Sequence, residues 1–170
     1  MCLFLGGSNK PFNISGGEAN YAIAAASLSD LFNTLRNPEK KCPEFQRTLP
    51  DDAELHLFAR DREFIEQTTS FDNRPVQIPE RVVNAEANLK PVVLRKILYR
   101  LGFSHDQLSN VEGEIHRLLN YRNKIAHGES SSGINLDEYL ALREATFKIM
   151  DEVKRLIIEA IQNRHYLRQE

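Results

Sequence analysis

The sequence contains little cysteine and no long apolar run. Its 170 residues include two cysteines, Cys2 and Cys42, whose separation fits neither a metal-ligand spacing nor a disulfide framework. This usage is typical of a protein from the reducing cytosol. No apolar segment approaches the roughly 20 residues needed to span a membrane, and residues 1–5 lack the basic start and the length of a signal peptide. We therefore expect a cytoplasmic protein with no membrane association.

The sequence also lacks any excess of positive charge. The formal net charge is −2 at pH 7, which argues against a protein that coats a long nucleic-acid backbone but permits a local basic patch. The signatures of several other enzyme classes are absent, including a Gly-rich phosphate loop, H-E-x-x-H and G-x-S-x-G. The isolated histidines His56, His105 and His165 have no neighbours at metal-ligand spacing. We therefore expect neither a metal nor a cofactor.

Hydrophobic periodicity predicts an all-α protein of about five helices, and a chain of this length is expected to form a single domain over residues 1–170. No strand pattern has comparable strength. The predicted helices cover 17–36, 51–68, 91–101, 110–127 and 136–163. The second is expected to turn Leu55, Phe58 and Ile65 inward. The last would be roughly 40 Å long, so part of it could serve a dimer contact rather than the core alone.

Two segments do not fit the helical pattern. Residues 1–14 are predicted to be irregular, and they could form a short strand or the end of a helix that begins outside the sequence. Residues 69–88 contain Pro75 and Pro79 and little periodicity, which predicts a loop of unusual length for a compact domain. That loop could be mobile near a functional site, could bind a partner, or could be an ordered surface loop without a role.

The fourth predicted helix carries an arginine where a core residue is expected. Ser109 and Glu112 have the spacing of a capping box at its start, and Gly128 is a typical left-handed stop at its end. Its apolar residues share a stripe about 120° wide on a helical projection: Val111, Ile115, Leu118, Leu119, Ile125 and Ala126. Arg122 lies near the centre of that stripe. Because an unpaired buried guanidinium costs about 3–5 kcal/mol, Arg122 must be paired, or the stripe must open there onto a polar site or an interface.

Polar side chains accompany Arg122 at helical spacing. Asn123 and His127 are four residues apart and share one face. His127 lies at the helix C-terminus, where the helix dipole favours a protonated imidazole, so it suits proton transfer near neutral pH. Three further side chains of this helix are weaker candidates for substrate binding: His116, Arg117 and Lys124. The alternative interpretation is a structural arginine, paired with a carboxylate of the same domain, beside a histidine with no chemical role.

The run Y-R-N-K-I-A-H-G-E-S at residues 121–130 resembles a signature of the HEPN superfamily, a group of helical domains common in prokaryotic toxins and defence systems. Arg122 and His127 match the R-x4-H motif of that superfamily, and Asn123 matches the polar residue that follows the arginine. The longer string R-N-x-I-A-H-G-E is similar to prokaryotic stand-alone HEPN proteins of the MAE type. Upstream, N-L-K-P-V-V-L-R-K-I-L-Y-R-L-G-F resembles the helix that precedes the motif in that subgroup. The resemblance covers roughly residues 88–163.

The resemblance implies an antiparallel up-and-down HEPN-like bundle that acts as a metal-independent endoribonuclease on an RNA substrate. Two protomers would form a homodimer whose motifs face one cleft, where Arg122 would contact the scissile phosphate, His127 would transfer a proton and Asn123 would orient the site. A toxin or antiviral defence role, with a cognate antitoxin of the nucleotidyltransferase type, follows from the resemblance alone. Two alternatives stay open: a non-catalytic module that binds RNA or a partner, and a dimerisation domain in which Arg122 pairs with Glu112 or Glu114 of the opposing protomer.

Overall fold

The computed structural model describes residues 13–86, 88–128 and 134–169. These residues form six α-helices and two short 3-10 helices, which confirms the prediction of an all-helical bundle. The α-helices are α1 (Tyr21–Ser27), α2 (Ser29–Arg36), α3 (Ala53–Phe71), α4 (Pro91–Arg100), α5 (Glu112–Ala126) and α6 (Leu136–Gln162). The 3-10 helices are Glu80–Val83 and Ser109–Val111. Backbone contacts divide the chain into two compact units, Met1–Pro79 with Leu167–Glu170 and Glu80–Tyr166. The single domain over residues 1–170 stays a prediction.

The first unit contains two helices where the sequence predicts one over residues 17–36. The Asn20 side chain accepts the Ile23 amide at 2.9 Å, so α1 begins at Tyr21 rather than at residue 17. The chain then bends at Leu28, which separates α1 from α2. This bend accounts for six helices instead of five, and it was missed because no proline or glycine marks it. Glu18 accepts the amide of Ser15 at 2.9 Å, a contact typical of a capping box, but here it closes a turn before the helix.

The helix α3 begins as predicted but buries a different face. Asp52 caps it by accepting the Leu55 amide at 2.9 Å. The expectation that Phe58 and Ile65 point inward is wrong, since their exposed fractions are 66% and 62%. Polar residues take the buried positions instead, as His56 is 4% exposed and Arg60 is 8% exposed.

The buried polar residues of α3 hold the segment that precedes this helix. The Cys42 amide donates to His56 Nδ1 at 3.0 Å, and His56 Nε2 lies 3.1 Å from the carbonyl oxygen of Leu49. Nδ1 therefore has no proton, and Nε2–H donates to Leu49. Arg60 Nη1 donates to the carbonyl of Lys40 at 2.9 Å. These side chains satisfy backbone groups that would otherwise lose their partners on burial.

The predicted loop 69–88 is shorter and more ordered than its sequence indicates. Helix α3 continues to Phe71, and Glu80–Val83 forms a 3-10 helix with Val82 buried. Between them Pro75 makes an isolated antiparallel bridge with Ser15. Gly16 permits this close approach, because a Cβ there would lie 2.4 Å from the carbonyl oxygen of Phe71.

The core of the second unit is apolar and joins α4, α5 and α6. Its buried residues are Leu94, Leu98, Leu108, Val111, Ile115 and Leu156. Pro91 opens α4 in the first turn, where a missing amide proton costs nothing. Gly102 follows its end with φ 86°, a left-handed conformation that glycine adopts without strain. Along α4 the buried residues Leu94, Ile97 and Leu98 form one apolar stripe.

Candidate functional site

The two helices α5 and α6 pack side by side in opposite directions. Glu114 near the start of α5 forms an ion pair with Lys148 in the middle of α6. Further along α5, Tyr121 donates its hydroxyl to Glu138 Oε1 at 3.2 Å, near the start of α6. Because the later residue of α5 meets the earlier residue of α6, the helices are antiparallel. The C-terminal end of α5 therefore lies beside the first turns of α6.

The start of α5 differs from the prediction and its end agrees with it. Ser109 does not cap the helix, because Ser109–Val111 forms a 3-10 turn and α5 begins at Glu112 without a side-chain cap. The Glu112 carboxylate instead binds Arg95 through two hydrogen bonds of 2.6 and 2.8 Å, which lower the pKa of Glu112. At the other end, Gly128 adopts φ 68° directly after the last turn, as predicted.

The apolar stripe of α5 is covered over its first half and open over its second half. Val111 and Ile115 are buried at 0% and 4% exposure. Ile125, on the same stripe nearly three turns after Ile115, is 55% exposed, and Arg122 is exposed beside it. Of the two solutions that the sequence allows, the chain adopts the second, since the stripe opens at Arg122 and the guanidinium is not buried.

The three motif residues lie together on this open end of α5. Arg122 Nη1 is 3.3 Å from Asn123 Oδ1, which accepts a weak hydrogen bond from it. His127 is the C-terminal cap, and its amide donates to the carbonyl of Asn123 at 2.9 Å. All three are exposed. Within residues 13–86, 88–128 and 134–169, neither Arg122 nor His127 forms an ion pair with a carboxylate.

Arg122 and His127 do not point the same way along α5. On a regular helix, five residues advance about 7.5 Å along the axis and about 140° around it. Asn123 and His127, four residues apart, share a face more closely. One copy of α5 therefore offers Arg122 and His127 on neighbouring faces of one helix end rather than around a single enclosed pocket.

The weaker candidates also lie on α5 and are exposed. His116, Arg117 and Lys124 all face solvent, and Lys124 Nζ lies 5.8 Å from the centre of the Tyr121 ring. On α4, in contrast, each cationic side chain already forms an ion pair or a hydrogen bond. The partners are Glu112 for Arg95, Glu86 for Lys96 and the Val82 carbonyl for Arg100.

The carboxylates that could pair with Arg122 from an opposing protomer are occupied within the chain. Glu112 binds Arg95, and Glu114 binds Lys148 in a contact that lowers the pKa of Glu114. Replacing either pair with a bond to Arg122 would break one existing ion pair in each protomer. Glu129, which follows Gly128 in the sequence, lies outside the described residues, as do residues 130–133.

A second apolar stripe runs along α6 and faces outward. Its members lie within about 100° on a helical projection, and we call them the outer stripe: Leu136, Tyr139, Leu140, Phe147, Met150 and Ile158. Their exposed fractions range from 39% to 70%. Antiparallel packing places the first turns of α6 next to the open end of α5, but the outer stripe lies on the side of α6 away from Glu138, which contacts α5. The exposed charged residues Arg143 and Lys154 lie within the same arc and interrupt the stripe. Helix α6 also has a separate buried face at Ala145 and Leu156.

Tyr121 and Glu138 contact each other beside the motif, and neither was predicted from the sequence to contribute to the site. Glu138 belongs to a capping box with Asn135, whose side chain accepts the Glu138 amide at 2.9 Å. The spacing Asn135-x-x-Glu138 is a recognisable start signal, but the contact with Tyr121 depends on helix packing and has no local signature.

The described residues contain neither a metal-binding cluster nor a membrane-spanning helix. No cluster of three or more histidine, cysteine or acidic side chains could hold a metal ion. No helix among these residues has both the length and the apolarity of a membrane span.

Most of the chain matches a known protein family. A family described as MAE_28990-like HEPN matches residues 27–166. This match includes α2 to α6 and the whole motif. No curated protein and no solved structure matches the chain significantly.

Proposed function

Because this chain belongs to the MAE_28990-like HEPN family, we propose that it is a metal-independent endoribonuclease whose site is built from Arg122, Asn123 and His127. One observation carries the proposal. The arginine and the histidine of the family motif are both exposed at the open end of α5, without a carboxylate partner among the described residues. A structural arginine in an apolar stripe would be buried and paired with a carboxylate, whereas Arg122 is exposed and pairs with no carboxylate that the structure describes.

The residue types suit cleavage of RNA by its own 2′-hydroxyl. That group attacks the adjacent phosphorus, and the bond to the 5′-oxygen of the next nucleotide breaks. Arg122 offers a planar, permanently charged donor that matches phosphate oxygens. His127 takes or gives the proton, a role typically worth about 10²–10⁴-fold in rate. Asn123, which accepts a hydrogen bond from Arg122, orients the guanidinium. The products are a 2′,3′-cyclic phosphate and a 5′-hydroxyl.

The proposed active form is a homodimer. Arg122 and His127 project about 140° apart on one helix, so a second copy of α5 would bring the complementary residues to the same phosphate. The outer stripe of α6 supplies an exposed apolar surface, on the side of this helix away from α5, that a two-fold related copy would bury. Self-complementary patches of this kind are the usual basis of two-fold dimers. A toxin or defence role and a nucleotidyltransferase-type antitoxin remain part of this proposal on family grounds.

The second candidate function is RNA or partner binding without cleavage. It is favoured by the position of the motif residues on an open surface rather than in a pocket, because binding alone needs no precise enclosure of the phosphate. The two functions differ in what His127 contributes, since a binding surface would use its charge and an enzyme would use its proton transfer.

The test is RNA cleavage by purified protein in excess chelator. We expect the wild type to cleave, and Arg122→Ala and His127→Ala to lose at least 100-fold in rate. Arg62→Ala and His105→Ala are matched controls, because both residues are exposed and lie outside the proposed site. RNA binding without cleavage by the wild type would favour the second candidate. Cleavage that requires an added divalent metal would contradict the proposal.

A further inference from the structure

The open end of α5 has no burial to hold it in place. Every residue from Arg122 to Gly128 is exposed, and none belongs to the apolar core of the second unit. Helix ends fray because their last turns lack half of their hydrogen bonds. The described residues must therefore supply another anchor if Arg122 and His127 are to keep a fixed geometry.

Tyr121 is placed to provide that anchor. It immediately precedes Arg122 and is half-buried, and its hydroxyl donates to Glu138 Oε1 at 3.2 Å. Lys124 Nζ lies 5.8 Å from the centre of its ring, a distance that still permits a cation–π attraction. Among the contacts of the described residues, the next side-chain bond between α5 and α6 is Glu114 with Lys148, two turns back from Tyr121.

Glu138 is itself fixed on both sides. Its Oε1 accepts the Tyr121 hydroxyl, and its Oε2 accepts the backbone amide of Asn135 at 3.2 Å. Its own amide donates to Asn135 Oδ1 at 2.9 Å, which completes the capping box of α6. One carboxylate thus joins the first turn of the long helix to the residue that precedes the motif arginine.

We propose that Tyr121 and Glu138 are positioning residues that hold the motif end of α5 against α6, so that Arg122 and His127 keep the geometry needed for RNA cleavage. This inference rests on the proposed function and deepens it. Neither residue touches the substrate in this account. They act through the backbone of the last turn, where a displacement of about 1 Å can cost on the order of 10²-fold in rate.

The main test is Tyr121→Phe, which removes one hydroxyl and keeps the ring beside Lys124. We expect kcat for RNA cleavage to fall about tenfold with KM within twofold of the wild type, because phosphate contacts are retained and alignment is lost. Amide exchange of residues 122–127 should become faster by a similar factor. Tyr99→Phe is the matched control, since Tyr99 on α4 is 72% exposed and hydrogen-bonded through its hydroxyl to none of the described residues.

A second variant separates positioning from general destabilisation. Glu138→Gln can still accept the Asn135 amide with its one carbonyl oxygen and can donate from its NH2 group to the hydroxyl oxygen of Tyr121, so it should retain most of kcat. Glu138→Ala removes both bonds and should resemble Tyr121→Phe. Faster exchange confined to the end of α5, with core amides at Leu98 and Ile115 unchanged, supports positioning. Faster exchange throughout α5 and α6 would overturn it.

Amide exchange tests the positioning role separately from the proposed ribonuclease activity. If the wild type cleaves RNA but Tyr121→Phe matches it in both kcat and amide exchange, the positioning role is wrong and the proposed ribonuclease activity is unaffected. If the wild type cleaves no RNA, the function is wrong, and slow exchange that depends on Tyr121 would still support the anchor. Unchanged exchange in Tyr121→Phe contradicts the anchor in every case.

Discussion

At the scale of single residues, Arg122 shows why a sequence pattern could locate the site. A permanently charged side chain at the centre of an apolar stripe conflicts with the rest of its helix, and such conflicts concentrate at functional positions. The sequence offered two solutions, pairing or an opening of the stripe, and could not choose between them. The choice depends on how far α6 covers α5, which is a property of packing rather than of local spacing. In the structure Ile125 beside Arg122 is exposed, so the stripe opens there.

Glu112 illustrates the opposite case, in which a local signal was misleading. Its spacing from Ser109 predicts a capping box, but a bidentate ion pair with Arg95 is stronger than a neutral cap and takes the carboxylate. The side chain of Glu112 is 18% exposed, so the pair links α4 to α5 in a partly covered environment. The position of Arg95 on the preceding helix could not be read from the residues around Ser109.

The ion pair of Glu112 makes a prediction about pH. The hydrogen bonds from Arg95 lower the pKa of Glu112 in the folded protein. The pair therefore stabilises the fold above the ordinary glutamate pKa of about 4.3, and this contribution is lost as the pH falls through the lowered value. We expect Glu112→Gln to lower the melting temperature at pH 7, and we expect the difference from the wild type to shrink as the pH falls below the ordinary glutamate pKa. Thermal melts over this range, with Glu63→Gln as the control, measure the difference. A gap in melting temperature that does not shrink on acidification would contradict the assignment.

At the scale of helices, boundaries were predictable where local chemistry sets them. Pro91 opens α4, Gly102 follows its end, and Gly128 follows α5. Each acts within a few residues, so the sequence suffices. The break at Leu28 was missed because no proline or glycine marks it, and the buried face of α3 was missed for a different reason. The partners of His56 and Arg60 are backbone groups of a preceding segment, so no periodicity of apolar residues could reveal them.

Because α3 buries polar residues and exposes apolar ones, we expect an unusual order of mutational effects on the free energy of unfolding. His56→Leu preserves the approximate volume but leaves the Cys42 amide and the Leu49 carbonyl without partners. We expect it to lower the free energy of unfolding by about 1–3 kcal/mol. Phe58→Ser on the same helix should change it by about 0.5 kcal/mol or less, because Phe58 is 66% exposed. Urea denaturation of both variants checks this order. A larger loss of unfolding free energy in Phe58→Ser than in His56→Leu would contradict this order. It would support the inward-facing Phe58 that the sequence indicated.

At the scale of the whole molecule, the described residues of one chain carry the motif without enclosing it. The sequence predicted the helical class, which is confirmed, and it indicated Arg122, Asn123 and His127, whose roles stay a proposal. It also indicated that α6 is longer than a core alone requires. It could not assign α6 residues to a buried or an outward face, because both faces are apolar. The outer stripe became apparent only from the exposure of Phe147 and Met150, at 57% and 58%.

The outer stripe predicts a dimer that can be broken by one charge. Phe147→Glu introduces a carboxylate at the centre of the proposed contact, so we expect the wild type to be dimeric and the variant monomeric in light scattering after size exclusion. RNA cleavage should fall with the dimer although Arg122 and His127 are unchanged. Ile65→Glu is the control, since Ile65 is 62% exposed on α3 and should leave both properties intact. A wild-type chain that is monomeric and fully active would contradict the shared site.

The nature of the RNA ends after cleavage tests the central claim most directly. A defined RNA is incubated with wild type, Arg122→Ala and His127→Ala in excess chelator, and the termini of the fragments are identified by mass spectrometry. Attack by the 2′-hydroxyl predicts 2′,3′-cyclic phosphates and 5′-hydroxyls from the wild type and intact RNA from both variants. Fragments that end in 3′-hydroxyls, or cleavage that persists in His127→Ala, would contradict a site built from Arg122 and His127.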